Sequence, residues 1–255
     1  MKKTVKGIYL IISSLIISVL HLPFAFAKTG SANKLFVRPA ISTTHPLTDS
    51  FFISPLKSIY DSLQLELSGL SRRAFDYALQ GYEKLVNQGK LVNQSIVAIV
   101  DFSQPSSQKR LYVLDIKNYK VLFNTLVAHG RNSGKEWATY FSNKPASFKS
   151  SPGFYITGQV YSGSNGYSLR LEGIENGIND KAMKRAIVLH GADYVNESYI
   201  AAQGYIGRSE GCPAVPVSDA KNIINTIRDG VCLYIYTPDQ HYFSRSVILA
   251  DILKG

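Results

Sequence analysis

Cysteine is scarce in this chain. Only Cys212 and Cys232 occur among 255 residues, so a single bridge between them is the one disulfide the sequence could form. No pair among the two cysteines and five histidines stands at metal-ligand spacing, and no metal site or metal cofactor is expected. No basic run interleaved with aromatics stands out, which makes nucleic acid a poor partner. Internal repeats and low-complexity tracts are missing too, and after residue 27 no stretch is apolar enough to span a bilayer. What is present is an ordinary globular composition, 45% hydrophobic and 18% charged, in which sixteen tyrosines and twelve phenylalanines favour β structure.

The N-terminus reads as a targeting segment. Lys2, Lys3 and Lys6 precede an apolar run from Ile8 to Leu20, and Ala25-Phe26-Ala27 is a small-x-small cleavage site, so the mature chain is expected to start at Lys28. The competing reading is an uncleaved anchor, which Ser13, Ser14, His21 and Pro23 weaken. Cleavage removes three lysines and no acid, lowering the net charge from +10 to +7. An exported basic chain is drawn to anionic envelope polymers or lipid head groups, though the charge also serves plain solubility.

Residues 28–50 lack periodicity and are rich in Ser, Thr and Pro, as in a linker or extended arm. A helical pair is expected over 51–90. Ser54 and Pro55 open the first helix, with Leu56, Ile59, Tyr60, Leu63, Leu67 and Leu70 on one face. Ser71 caps the second, with Phe75, Ala78, Leu79, Tyr82, Leu85 and Val86 on one face and Gly89 at its stop. From residue 94 the period changes. Seven short Val/Ile/Tyr-rich runs, "QSIVAIVDF", "RLYVLDI", "KVLFNTLVAHG", "PGFYITGQV", "YSLRLEG", "RAIVLHG" and "VCLYIYT", fit a sandwich or closed sheet better than a parallel α/β array. Helical inserts are expected near Asn179–Arg185, near Asn196–Ala202 and over 216–230 with Ser218 as cap, while the tail 239–255 is ambiguous.

Cys212 lies in "GRSEGCPAVP". A thiol attacks as thiolate and needs a base nearby, since its ordinary pKa of about 8.5 leaves little ionised at neutral pH. Gly211 allows close backbone approach, and Pro213 biases Cys212 toward an extended or turn conformation. A lone cysteine is nevertheless more often an inert buried residue. Among possible bases, His190 ends "AIVLHG" and His129 ends "LVAHG", so position does not separate them. His241 sits in the ambiguous tail and His45 in the arm.

"AIVLHGADYV" followed by "GRSEGCPAVP" resembles the active-site signature of the L,D-transpeptidase (YkuD-like) catalytic domain: His-Gly, a spacer, then Ser-x-Gly-Cys. "SSPGFYITG" at 150–158 resembles another segment of that family, and the similarity covers roughly residues 94–238. It implies an α+β, predominantly β, sandwich-like catalytic domain over 91–238 behind the N-terminal helical pair. It also implies roles. Cys212 would be the acyl-accepting nucleophile and His190 its general base, oriented by a backbone carbonyl. The N–H groups of Gly211 and Cys212 would form an oxyanion hole, and Ser209 would support His190 or the turn. Two positions depart from the usual pattern: Glu210 stands where the family has His, and Ala214 where it commonly has Arg or Asn. Substrate carboxylates would then fall to Arg208, with Arg131 a weaker alternative and Glu210 at the same mouth. Asp193 reads as a solvent-facing loop carboxylate.

The resemblance implies an exported, periplasmic or envelope enzyme acting as a monomer on peptidoglycan stem peptides, without cofactor or membrane span once the signal is removed. It would be a transferase when an amine accepts the acyl group and a hydrolase, an L,D-carboxypeptidase, when water does. A cysteine peptidase and a non-catalytic envelope-binding protein are the rivals, the latter favoured by Glu210 and Ala214. A Cys212–Cys232 bridge would silence the nucleophile.

Overall fold

The computed structural model describes residues 57–250. The export segment, the arm at 28–50, the cap at Ser54 and the end of the tail lie outside these residues. In chain order the elements are α1 (Lys57–Ser62), α2 (Arg72–Asn87), β1 (Ile96–Asp101), β2 (Leu111–Asp115), β3 (Lys120–Thr125), β4 (Gly153–Gly163), β5 (Gly166–Gly173), β6 (Val188–Gly191), α3 (Glu197–Gln203), β7 (Ala214–Val215), α4 (Val217–Ile227), β8 (Cys232–Tyr236) and α5 (Gln240–Phe243). Among the described residues no helix is long and apolar enough to cross a membrane.

The strands form one eight-stranded sheet in the order β3-β2-β1-β8-β4-β5-β6-β7. Pairing is antiparallel except at β1–β8 and β6–β7. Past β3 the chain runs on to the opposite edge, where Ala128 bridges Ala214 and Gly130 bridges Ser209. The sheet is thereby rolled into a near-barrel, which bears out the predominantly β reading.

The central strands are buried on both faces, so they read as continuous apolar runs. Along β1, Val97 and Ile99 enter one core while Ala98 and Val100 enter the other. Along β8, Cys232, Tyr234 and Tyr236 alternate in the same way with Leu233 and Ile235. The first core is closed by α2, whose Phe75, Ala78, Leu79 and Leu85 pack with Tyr112, Phe154 and Tyr234. Each large apolar side chain buried there contributes roughly 1.5–3 kcal/mol, which holds a helix that would be marginal alone. As expected, Ser71 Oγ caps α2, accepting from Ala74 N at 3.3 Å. The second core lies under α4, which contributes Ala220, Ile223, Ile224 and Ile227.

Three local expectations fail, each for a visible reason, and one strand is unforeseen. The first helix stops at Ser62, because Gln64 takes a positive φ of 50° and turns the chain; Leu65 is then buried and Leu67 exposed. Residues 179–185 form successive turns rather than a helix. Asn179 explains this: its side chain accepts from Glu175 N and donates to the carbonyls of Pro152 and Phe154, competing with helical bonding. Ser218 is not a cap, since α4 begins one residue earlier behind Pro216 and the Ser218 hydroxyl donates to Asp219. The two-residue β7 has no counterpart among the expected strands. The ambiguous tail folds back, placing Tyr242, Phe243 and Leu249 in the first core.

Candidate active site

The parallel register of β6 and β7 sets His190 opposite Ala214, two residues beyond Cys212. Gly191 permits this arrangement. A Cβ there would lie 2.9 Å from Ala220 Cβ and 3.2 Å from Val217 Cα, so only glycine lets the start of α4 press against the end of β6.

The loop carrying Cys212 is laced to its neighbours by backbone bonds. Ser209 N donates to His129 O at 3.0 Å, Arg131 N to Ser209 O at 2.7 Å, and Gly207 N to Tyr194 O at 2.7 Å. Within it, the Ser209 hydroxyl donates to Cys212 O at 2.6 Å and accepts from Gly211 N at 3.1 Å. Ser209 therefore braces the turn and makes no bond to His190. Of the two expected oxyanion donors, the Gly211 N–H is thus turned onto Ser209 Oγ. The Cys212 N–H has no such partner among the described residues. Gly211 takes a φ of +127°, and a Cβ there would meet Lys149 O at 2.8 Å, so the position demands glycine.

Cys212 is 8% exposed. Its sulfur accepts from Val188 N at 3.5 Å and lies 3.7 Å from Ala186 O. Burial pushes the thiol pKa up, as does Glu210 more weakly, against the Val188 N–H and the Arg185 charge, which pull it down. His190 is 5% exposed, and burial pushes its pKa below the usual 6.5. Its Nδ1 lies 2.9 Å from Gly191 O. A carbonyl only accepts, so Nδ1 carries the proton and Nε2 is left with a free lone pair. No acidic partner is needed to orient the ring.

Burial also separates the histidines. His129 is 0% exposed, with Nδ1 accepting from the Arg110 guanidinium at 2.8 Å and Nε2 3.3 Å from Gly134 O. Burial first, and then the Arg110 charge, hold its pKa down at about 3. It is a neutral core residue. His241, on the short helix α5, bonds Arg245 just beyond its end, and His45 lies outside the described residues.

Cys212, His190, Ser209, Arg208, Glu210 and Arg131 line one cleft of about 720 Å³, so the structure brings together every expected site residue except Gly211. Arg131 pairs with Glu210 at 3.3 Å and stacks over Phe148 at 3.9 Å. Arg208 donates to the carbonyls of Arg131 and Gly134 at 3.2 and 3.1 Å. Asp193 is an exposed member of the lining. Cys212 and Cys232 are both free thiols and belong to opposite cores, so no bridge joins them. Cys232 is fully buried, and that burial raises its pKa to about 12.

Arg185, Tyr194 and Phe148 also line the cleft, and sequence reasoning missed them. No motif or spacing distinguishes Arg185 from Lys181 and Lys184 beside it. Helices α1 and α2 contribute nothing to the lining. They extend the core.

A family model described as the L,D-transpeptidase catalytic domain matches residues 66–236, more than half of the chain. Similar solved structures include an L,D-transpeptidase from Mycobacterium smegmatis at 13% identity, covering 56% of this chain and 59% of that one, with a TM-score of 0.35. Another is an L,D-transpeptidase from Stackebrandtia nassauensis at 15% identity, covering 72% and 77%, with a TM-score of 0.34. A third is the helical cell shape determining protein Pgp2 from Campylobacter jejuni, at 15% identity, covering 57% and 49%, with a TM-score of 0.37. The chain thus spans less than two thirds of the length of the Mycobacterium smegmatis protein. Among curated proteins there is no match.

Proposed function

The chain belongs to the L,D-transpeptidase catalytic domain family, and from that membership we propose that it is an exported cysteine acyltransferase acting on peptidoglycan stem peptides. The observation that carries the reading is the shared cleft: Cys212 and His190 line it together, and Nδ1 of His190 is turned onto a backbone carbonyl.

In this reading His190 Nε2 takes the Cys212 proton, and the sulfur attacks the carbonyl joining diaminopimelate to terminal D-Ala. A tetrahedral oxyanion forms against the Cys212 N–H, a kind of contact worth about 3 kcal/mol per donor. Collapse breaks the C–N bond, His190 returns the proton to the leaving D-Ala amine, and a thioester remains. An acceptor amine then attacks the thioester, loses its proton to His190 and frees the sulfur. The cations Arg208 and Arg131 at the cleft mouth suit the carboxylates of a stem peptide, and Glu210 sets how much of the Arg131 charge is available. Residues 1–27 direct export and are then removed, and residues 28–50 serve as a linker or arm ahead of the domain.

The test is incubation of mature protein, and of Cys212→Ala, with disaccharide-tetrapeptide, followed by mass spectrometry. Release of D-Ala with cross-linked dimer, absent in the variant, is expected. D-Ala release without dimer identifies water as acceptor. Binding without any product overturns the enzyme reading.

A further inference from the structure

Arg185 stands in the turn before β6, half-buried, and its guanidinium is clamped by four neutral oxygens. Nη1 donates to Ser142 O at 2.8 Å and Ser151 Oγ at 2.5 Å, and Nη2 donates to Lys149 O at 2.6 Å and Ser147 Oγ at 3.3 Å. Among the described residues it makes no ion pair, so its charge is fixed in place but not cancelled. The clamp aims that charge at the Cys212 turn. A Cβ on Gly211 would sit 3.2 Å from Arg185 Nη2, and Arg185 shares the cleft wall with Cys212. The other charged groups of the cleft are held differently: Arg131 is paired with Glu210, Arg208 is bonded to the carbonyls of Arg131 and Gly134, and Asp193 is an exposed carboxylate of the lining. Tyr155 and Tyr194, which also face the sulfur, are kept protonated by burial, and His190 is held neutral by burial.

We propose that Arg185 is a positioning residue of the reaction: its uncancelled charge, fixed against the Gly211–Cys212 turn, steadies the sulfur as thiolate once His190 has taken the proton. The inference rests on Cys212 being the nucleophile. Its physical basis is that a cation beside a sulfur favours the ionised form, and more so where water is partly excluded. A guanidinium stays charged under these conditions, so the effect is present throughout the working pH range. Glu210 acts in the opposite direction, weakly, because it is 68% exposed and neutralised in part by Arg131.

The pH dependence of Cys212 alkylation by iodoacetamide tests this without any peptide substrate. Arg185→Gln is expected to move the profile up by about one pH unit, a roughly tenfold lower rate at neutral pH. Arg185→Lys should restore most of that loss, and Glu210→Gln should move the profile slightly down. Ser147→Asp leaves the guanidinium in place and gives it a carboxylate, so it should reproduce the upward shift and decides the matter should Arg185→Gln fail to fold. Unchanged profiles in folded Arg185→Gln, or in Ser147→Asp where Arg185→Gln does not fold, overturn the role of Arg185. They would do so even where transpeptidation is intact. Conversely, a missing peptide product with the shifts present removes the proposed activity and leaves the electrostatics standing.

Discussion

At neutral pH Cys212 rests as a thiol beside a neutral His190, because the same burial raises the sulfur's pKa and lowers the imidazole's. The pair is therefore not a preformed thiolate–imidazolium. In the proposed reaction, ionisation is coupled to substrate arrival, with His190 Nε2 accepting the proton. Since the imidazole pKa in the fold lies below 6.5, the acid limb of kcat/KM should fall below pH 6.5; a limb above that value contradicts a buried, desolvated base. His190→Gln should lower kcat by about 10²–10⁴-fold, the range of a lost general base, with far-UV circular dichroism unchanged. At this scale the site was half legible. Cys212 and His190 stand out because the ordered motifs surround them. Arg185 does not, because its relation to the sulfur comes from a turn and a loop that no local pattern links.

Helix α2 shows packing overruling propensity. Gly81 lies inside it, where alanine would normally gain about 1 kcal/mol. A Cβ there, however, would fall 2.0 Å from the Phe154 ring, which is itself stacked on Tyr234 at 4.2 Å. Overpacking of this kind costs about 1–3 kcal/mol, so Gly81→Ala should lower the melting temperature although it improves the helix. A rise would mean that Phe154 has room to yield. Helix α2 is legible in sequence because its core imposes a helical stripe on it, and the strands β1 to β6 and β8 because they are short Val/Ile/Tyr-rich runs bounded by turn residues. The turn after Ser62 and the run at 179–185 are not, since a positive φ and the three bonds of the Asn179 side chain decide them. Strand β7 is two residues long and exists through its partners on either side.

Across the whole molecule, the two buried histidines make stability depend on pH. His129 has a pKa of about 3 in the fold against 6.5 unfolded. Between those values the unfolded chain binds a proton that the native protein refuses, so this stability is complete above pH 6.5 and is lost as pH falls toward 3. His190 acts with the same sign. Glu175 acts with the opposite sign, because burial raises its pKa above the ordinary 4.5. Stability linked to it is present at low pH and lost as pH rises through that range. The melting temperature should accordingly drop between pH 7 and about 5, where the histidines dominate, and His129→Gln should flatten that slope; an unaltered slope contradicts the assignment. The rolled sheet joins these features to function, because its closure over Ala128 and Ala214 carries Cys212 to the strand beside His190. The most direct measurement is the intact mass of the mature protein shortly after mixing with disaccharide-tetrapeptide. The account predicts an adduct of the tetrapeptide less D-Ala, labile to hydroxylamine and absent from Cys212→Ala. An unmodified protein that still turns substrate over, or an adduct that persists in the variant, would contradict it.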